Sequence, residues 1–429
     1  MERRRREASA RLAAGDPEEA IAHCEPVIAR LTACRLLVAS AALDLRRWAL
    51  AESAVRPARG SLGPLEPWGA LLLGEALAGA GKAAEAVPLL DEARRADPTG
   101  PLGDRAEPAE ALALLRSGRA VQARSILSRL VSKRRDDRDE LRLALAEATL
   151  AAGDRAGAAS LLRTIWIEAA GRPASEVARE RLDALAADGA GIPAPTSAER
   201  LDRATRLLDR GESRRAEHEI ADVPSSVEPI RRTWLLARAL SDQDRKDEAE
   251  TLLAPLLAAL PTGDPNAHDL LELAARLAMR RGDAKEAIAR LDRIQAGSSG
   301  QRAASADFLA AFFLYDDGRF EEAERRFRSH LAEHPGHRAD ESLWYVGWSS
   351  FKAGDFAGAR KSFAALEAKH PNSSLAPQAH YWQAKAAERA GDAQGAVALY
   401  RKTAARWPGE WYGALARQRL EMPLRPAGL

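Results

Sequence analysis

The sequence predicts an all-α fold in which helical hairpins stack into a superhelix, an α-solenoid, arranged in two arrays. Three observations predict it: a short turn motif recurs along the chain, a small residue stands at a fixed distance before each turn, and an apolar residue stands at a fixed distance after it. A motif that repeats at about the length of one helical hairpin indicates a continuous stack of such hairpins.

The turn motif has the form Gly-Asp-x-x-x-Ala, in which the aspartate varies and the alanine is constant. The copies begin at Gly15, Arg46, Gly81, Gly118, Gly153, Gly211, Asp244, Gly282, Gly318, Gly354 and Gly391. Neighbouring copies are separated by the length of one helical hairpin, except for a much longer interval between Gly153 and Gly211. This spacing predicts one helix-turn-helix unit for each copy.

Two packing positions accompany every turn. The residue seven positions before it is Ala or Gly in all copies, and the residue nine positions after it is apolar, from Cys24 in the first copy to Tyr400 in the last. Five prolines share one further position after their turns, where proline can end the second helix: Pro98, Pro261, Pro335, Pro371 and Pro408. In their register these positions resemble those of tetratricopeptide repeats, and the resemblance covers nearly the whole chain.

The long interval between Gly153 and Gly211 predicts an additional helix. The segments 178–182 and 416–420 follow their turn glycines, Gly153 and Gly391, at the same distance, and each ends a run of repeats. We therefore predict a first array over residues 1–187, of five hairpins and a capping helix, and a second array over residues 197–420, of six hairpins and a capping helix. Residues 188–196, which contain glycine and proline, form the predicted joint.

Composition excludes several classes of function. The 64 basic and 62 acidic residues nearly cancel, so the chain has no overall field for nucleic acid. No run of 18 apolar residues predicts a membrane span, and the N-terminus lacks the apolar region of a secretory signal. The two cysteines define no disulfide framework, because Cys24 occupies a core position of the repeat. The sequence leaves the oligomeric state open.

Aromatic residues are concentrated near the C-terminus, where all Phe and Tyr and five of the nine Trp lie between Phe308 and Tyr412. In the last three hairpins, the repeat register places eight residues on the first helix, where they face the concave side: Phe308, Phe312, Tyr315, Trp344, Trp348, Phe351, Tyr381 and Lys385. Two explanations remain open. These residues either form a surface that stacks on sugar rings or grips a peptide, or they pack between hairpins.

The same region resembles a known family. Tyr381-Trp382, the turn Gly391-Asp392 and the closing segment 411–420 are similar to the end of the superhelical region of soluble lytic murein transglycosylases. The resemblance is specific over residues 340–420. It implies a periplasmic, non-catalytic scaffold that binds or positions peptidoglycan or a catalytic domain. The alternative is a stand-alone repeat adaptor for a protein partner, with a cytoplasmic location.

Only nine residues follow Leu420, whereas the resemblance implies that a catalytic domain with a Glu-Ser pair follows this point. The dipeptide Glu341-Ser342 falls inside a repeat helix, so we expect no catalysis there and no cofactor. The segment from His330 to His334 spells the zinc motif H-x-x-E-H, with His337 close by. Because Pro335 ends that helix at the usual position of the repeat, we predict no metal site.

Overall fold

The computed structural model describes residues 2–133, 139–188, 191–261, 264 and 267–421. In this part of the chain the secondary structure consists of α-helices and short 3-10 turns, without a strand, which confirms the predicted all-α solenoid. Contacts between Cα atoms divide the chain into two compact units, Met1–Glu212 and Ser213–Leu429. None of the described helices is both long and apolar enough to cross a bilayer.

The first unit is a series of antiparallel hairpins followed by two further helices. Its helices are α1 (Glu2–Ala13), α2 (Pro17–Cys24), α3 (Thr32–Asp44), α4 (Trp48–Val55), α5 (Glu66–Gly79), α6 (Ala83–Ala96), α7 (Pro101–Arg116), α8 (Ala120–Lys133), α9 (Asp139–Ala151), α10 (Arg155–Glu168), α11 (Pro173–Ala187) and α12 (Ser197–Asp209). Short 3-10 turns cover Glu25–Val27, Arg56–Ala58 and Gly63–Leu65.

The second unit continues the same pattern and ends in one unpaired helix. Its helices are α13 (Ser213–Ala221), α14 (Pro229–Asp242), α15 (Lys246–Ala259), α16 (Ala267–Arg280), α17 (Ala284–Gly297), α18 (Gly300–Asp316), α19 (Phe320–Glu333), α20 (Ala339–Ala353), α21 (Phe356–Lys369), α22 (Ala376–Arg389), α23 (Ala393–Arg406) and α24 (Trp411–Glu421).

All eleven predicted turn positions adopt the left-handed backbone conformation. The nine glycines have φ between 77° and 90°. The two copies that begin with another residue also have a positive φ, 56° at Arg46 and 64° at Asp244. A left-handed residue ends the first helix and reverses the chain into the second. Where aspartate follows the glycine, its carboxylate accepts the N–H of the residue three positions on, as Asp355 does from Gly358 at 2.9 Å. The motif is therefore a combined helix stop and N-cap.

The two packing positions lie in the core, as predicted. Almost every residue seven positions before a turn or nine positions after it is fully buried. The alanine five residues after each turn is fully buried in every copy. Where the small residue is glycine, a Cβ built on it would collide with the apolar residue of the same hairpin: it would lie 2.6 Å from the Phe363 ring at Gly347 and 2.7 Å from Leu90 at Gly74. The small residue thus allows the two helices to approach closely.

The long interval between turns contains the predicted additional helix, α11. Beyond it, α12 packs on α10 within the first unit through the buried Arg203, which donates to the carbonyl of Trp166 and to Ser175. The guanidinium of Arg203 also lies 4.8 Å from the Trp166 ring centre. The division into compact units therefore falls after α12, whereas the sequence places the joint at residues 188–196, of which 189 and 190 lie outside the described residues. The two arrays, 1–187 and 197–420, stay a prediction.

Candidate functional site

The eight residues predicted to face the groove lie on the first helices of three consecutive hairpins, α18, α20 and α22. Phe308, Trp344 and Tyr381 are buried, and the other five are half-buried. None of the eight is fully exposed. The structure thus brings most of them together, but with their rings largely covered by protein.

Trp348 occupies the centre of this aromatic group. Its ring stacks on Trp344 and Phe351, with centroids 5.6 and 5.5 Å apart, and meets the edge of Trp382 at 4.3 Å. Its indole N–H donates to the hydroxyl of Tyr315 at 2.6 Å. Each ring contact uses a face that a sugar or peptide would otherwise occupy. These contacts agree with packing between hairpins, and a binding role for the eight residues stays a prediction.

The last hairpin holds a buried polar network instead of an open surface. Tyr400 donates to the Glu388 carboxylate at 2.8 Å, and Arg419 of α24 also pairs with Glu388. Burial raises the pKa of Glu388, but the hydrogen bonds from Arg419 and Tyr400 outweigh burial and the net pKa is lowered. Lys385 lies 3.5 Å from the same carboxylate. The predicted groove lysine therefore has a partner within its own helix.

Open grooves occur in other hairpins. In the second unit three adjoining cavities of about 270, 610 and 340 Å³ run along α14, α16 and α18. We call this the α14–α18 groove and define it by Trp234, Arg238, Asp269, Glu272, Arg276 and Arg302. In this groove the half-buried ring of Trp234 borders two of the cavities.

The α14–α18 groove combines an apolar surface with charges of both signs. The Arg238 guanidinium lies 5.7 Å from the Trp234 ring centre, and Arg276 pairs with Glu272 at 2.8 Å. Across the groove, Arg302 lies 3.8 Å from Asp269. Such a lining offers an apolar contact flanked by donors and acceptors, which suits a polypeptide segment.

The first unit has a smaller and more apolar groove. A cavity of about 280 Å³ lies among α1, α3, α5 and α7, lined by Leu12, Leu37 and Trp68, with Arg5 and Arg105 at its edge. The Trp68 side chain is 37% exposed, an unusual exposure for so large an apolar residue. Arg105 is held by Glu75, at 2.7 and 2.6 Å.

The sequence prediction does not include Trp234, which borders the open groove. Trp234 and Glu272 stand ten residues before their turns, at the same position as Phe308, Trp344 and Tyr381. Trp234 and Glu272 line open cavities, whereas the other three are buried. Register alone does not predict whether neighbouring side chains cover a residue at this position, and the prediction rested on the concentration of rings near the C-terminus.

The Glu-Ser pair does not form a site. Glu341 forms an ion pair with Arg338 beside it in the chain, and Ser342 is fully buried in α20. A general acid for glycoside cleavage works in a desolvated cleft that also receives the sugar. The partly exposed Glu341 lies at the start of a repeat helix instead.

Comparison with known proteins identifies the repeat. A family model for the tetratricopeptide repeat matches residues 36–101, 235–303 and 346–410, and a second model for the same repeat matches residues 304–329. Together the matches cover more than half of the chain. A search of curated protein sequences gives no match. The family matches give no support for a relationship with lytic transglycosylases or for peptidoglycan binding.

Solved structures of repeat proteins are also similar. The APC/C hetero-tetramer Cut9-Hcn1 matches at 14% identity over 97% of this chain and 89% of that chain, with a TM-score of 0.35. YrrB, a TPR protein with an unusual peptide-binding site, matches at 18% over 43% and 91%, with a TM-score of 0.33. PilW, a type IV pilus biogenesis factor, matches at 17% over 52% and 100%, with a TM-score of 0.40. These values leave the partner of this chain open.

Proposed function

Because the chain is built from tetratricopeptide repeats, we propose that it is a non-catalytic adaptor that holds a protein partner as an extended segment along the first helices of its hairpins. The observation that supports this proposal is the α14–α18 groove, where side chains from three successive first helices line one continuous surface. An extended segment can contact several repeats at once, which gives affinity without a deep pocket.

Trp234 is the residue on which we expect binding to depend most. Its ring lies in the open groove beside Arg238, and buried Trp and Arg residues contribute most to many protein interfaces. Arginines and carboxylates alternate around this ring, so we expect a partner segment that carries an apolar residue flanked by side chains that donate and accept hydrogen bonds.

A peptide-display selection on the immobilised full chain tests the proposal, with affinities of the selected peptides measured by fluorescence polarisation. We expect Trp234→Ala to weaken binding by about 1 to 3 kcal/mol, roughly fivefold to 150-fold. Val121→Ala is the matched control, because Val121 is 64% exposed on α8, outside both grooves, and should bind as the parent does. Peptides whose affinity is insensitive to Trp234→Ala would contradict the α14–α18 groove as the binding site.

A narrower, second proposal assigns the chain to the cell envelope as a scaffold for peptidoglycan or for a lytic transglycosylase domain. It is supported by the Tyr381-Trp382 helix α22 and the closing helix α24, which pack together through Tyr381 and Tyr412, with ring centroids 5.7 Å apart. Together with the turn Gly391-Asp392, these helices are the elements on which the sequence resemblance rests. This proposal includes a periplasmic location.

Purified sacculi test the second proposal. We expect the chain to sediment with sacculi but to release no anhydromuropeptides, because the Glu341-Ser342 pair forms no site. A chain that binds selected peptides but does not sediment with sacculi would contradict the envelope proposal and support the adaptor proposal. Anhydromuropeptide release that is lost in Glu341→Gln would contradict a non-catalytic scaffold of either kind.

A further inference from the structure

A cluster of metal-ligand side chains lies where α18 and the end of α19 meet. Asp307 of α18, His330 of α19 and His334, which follows α19, each offer an atom within 4.8 Å of the others. Asp307 and His330 are buried, and His334 is half-buried. Imidazole nitrogen and carboxylate oxygen are typical ligands of zinc and related divalent ions.

Comparison between repeats shows that packing does not require this polarity. Asp307 precedes and His330 follows the turn at Gly318, and each has an equivalent in the neighbouring repeats. The same two positions hold Leu271 and Ile294 in the preceding hairpin and Leu343 and Leu366 in the following one, and all four are buried in the core. In the last hairpin they hold His380 and Thr403, a buried pair whose polar atoms lie 2.7 Å apart. A buried carboxylate and imidazole cost free energy that an apolar pair does not.

The groups around the cluster match the outer shell of a metal site. His330 Nδ1 lies 3.0 Å from Asp307 Oδ2, while His330 Nε2 lies 3.2 Å from the backbone carbonyl of His337. Arg326 donates to the other carboxylate oxygen of Asp307 at 2.9 Å. A metal-bound histidine usually donates its second ring N–H to a carbonyl, and the metal-bound carboxylate is itself hydrogen-bonded.

His334 provides a separate observation. Its Nε2 atom is buried and has no hydrogen-bond partner among the described residues. A buried polar nitrogen without a partner costs about 1 to 3 kcal/mol, so its position calls for a ligand. The glutamate of the H-x-x-E-H motif points elsewhere, because Ser329 donates to Glu333 at 2.8 Å.

Against the prediction from sequence that the H-x-x-E-H segment holds no metal, we infer that Asp307, His330 and His334 bind one divalent transition-metal ion of the zinc class. In the metal-bound state His330 is the neutral tautomer with its N–H on Nε2, which donates to the His337 carbonyl. The unprotonated Nδ1 and the Asp307 carboxylate then coordinate the ion, and any proton held between them is released to solvent. The ion would join the two helices α18 and α19 and so stabilise this hairpin.

The test uses the full chain without an affinity tag, titrated with zinc chloride by calorimetry and with cobalt chloride by visible absorption. We expect one ion per chain, a rise in melting temperature with zinc, and a cobalt spectrum of low coordination number. His334→Gln should weaken zinc binding at least tenfold. His370→Gln is the matched control, because His370 follows α21 at the position that His334 takes after α19.

Replacement of Asp307 and His330 by leucine provides a second test that does not depend on a destabilised variant. This double variant copies the Leu343 and Leu366 pair of the next hairpin, so we expect it to fold while losing the effect of zinc on melting. Zinc binding that is equal in the parent and in His334→Gln, or a parent that binds no zinc at micromolar concentration, would overturn the inference and leave a hydrogen-bonded pair of buried residues.

Discussion

At the scale of single residues, each hairpin packs the small residue before its turn against the apolar residue after it. Gly347 faces Phe363, and a Cβ there would lie 2.6 Å from the ring. Other copies combine alanine with leucine, as Ala275 does with Leu291, or with a ring, as Ala384 does with Tyr400. The close approach at Gly347 is therefore a property of this hairpin and not a size rule of the repeat.

Gly347→Ala should destabilise the chain by about 1 to 3 kcal/mol, because the added methyl forces the Phe363 ring to move in a packed core. The gain in helix propensity from Gly to Ala, about 0.5 to 1 kcal/mol, offsets part of this loss. Urea unfolding measures the difference. Adding Phe363→Leu converts the pair to the Ala and Leu combination of another copy and should recover part of the stability. A single variant as stable as the parent would show that the ring can move freely.

Trp348→Ala distinguishes packing from binding in the aromatic group. Because Trp348 stacks on two rings and donates to Tyr315, we expect a loss of about 3 kcal/mol in the free energy of unfolding. Trp348→Phe keeps a ring in place but loses the hydrogen bond, which should cost about 1 kcal/mol. Thermal unfolding compares the two variants. An unchanged melting temperature with weaker binding of a selected peptide would instead identify a groove surface.

At the scale of elements, the turns are the features most directly specified by sequence. Arg46 and Asp244 adopt the left-handed conformation that glycine adopts in the other nine copies. A side chain in this conformation costs about 1 kcal/mol, and aspartate tolerates it better than arginine does. Asp244 also forms an ion pair with Lys246 at 2.8 Å.

Arg46→Gly should therefore stabilise the chain by about 0.5 to 1 kcal/mol, and Asp244→Gly by less. Gly81→Ala is the converse control: no heavy atom of a neighbouring residue lies within 4 Å of the added Cβ, so any loss comes from the backbone alone. Differential scanning calorimetry measures all three variants. A loss of stability in Arg46→Gly would mean that contacts of the arginine side chain outweigh its backbone conformation.

The sequence predicted the helices and turns because each rests on local signals that recur in register. The site was harder to predict, since it depends on which side chains from successive hairpins meet. Trp348 and Trp234 occupy neighbouring register positions on the same face, yet one is covered by rings and the other borders an open groove. Likewise, the register relates Asp307 to His330 as it relates Leu343 to Leu366, but it does not predict that His334, which follows α19, lies within reach of both.

At the scale of the whole chain, the joint is the feature that interrupts the repeat. Residues 188–196 connect α11 to α12, and α12 is held by the buried Arg203 against α10 and α11. Ile192 packs partly against the apolar cluster of α10 and α11, and Arg163 lies 3.7 Å from Glu199. The described part of the joint, residues 191–196, thus lies outside any helix, and it leads into a helix that is anchored by Arg203.

Limited proteolysis of the full chain should cut first within residues 188–196, because the described residues 191–196 lie outside any helix. Subtilisin is the suitable enzyme, because this segment contains no lysine or arginine for trypsin. We expect two helical fragments that still elute together, because α12 carries Arg203 into the pocket formed by Trp166 and Ser175. Arg203→Ala removes the hydrogen bonds from α12, although the Ser175 hydroxyl still donates to the Trp166 carbonyl at 2.9 Å. This variant should let the fragments separate on size exclusion and should speed the first cut. Resistance of this segment while other turns are cleaved, or fragments that lose their helical circular dichroism on separation, would instead indicate one continuous superhelix without a joint.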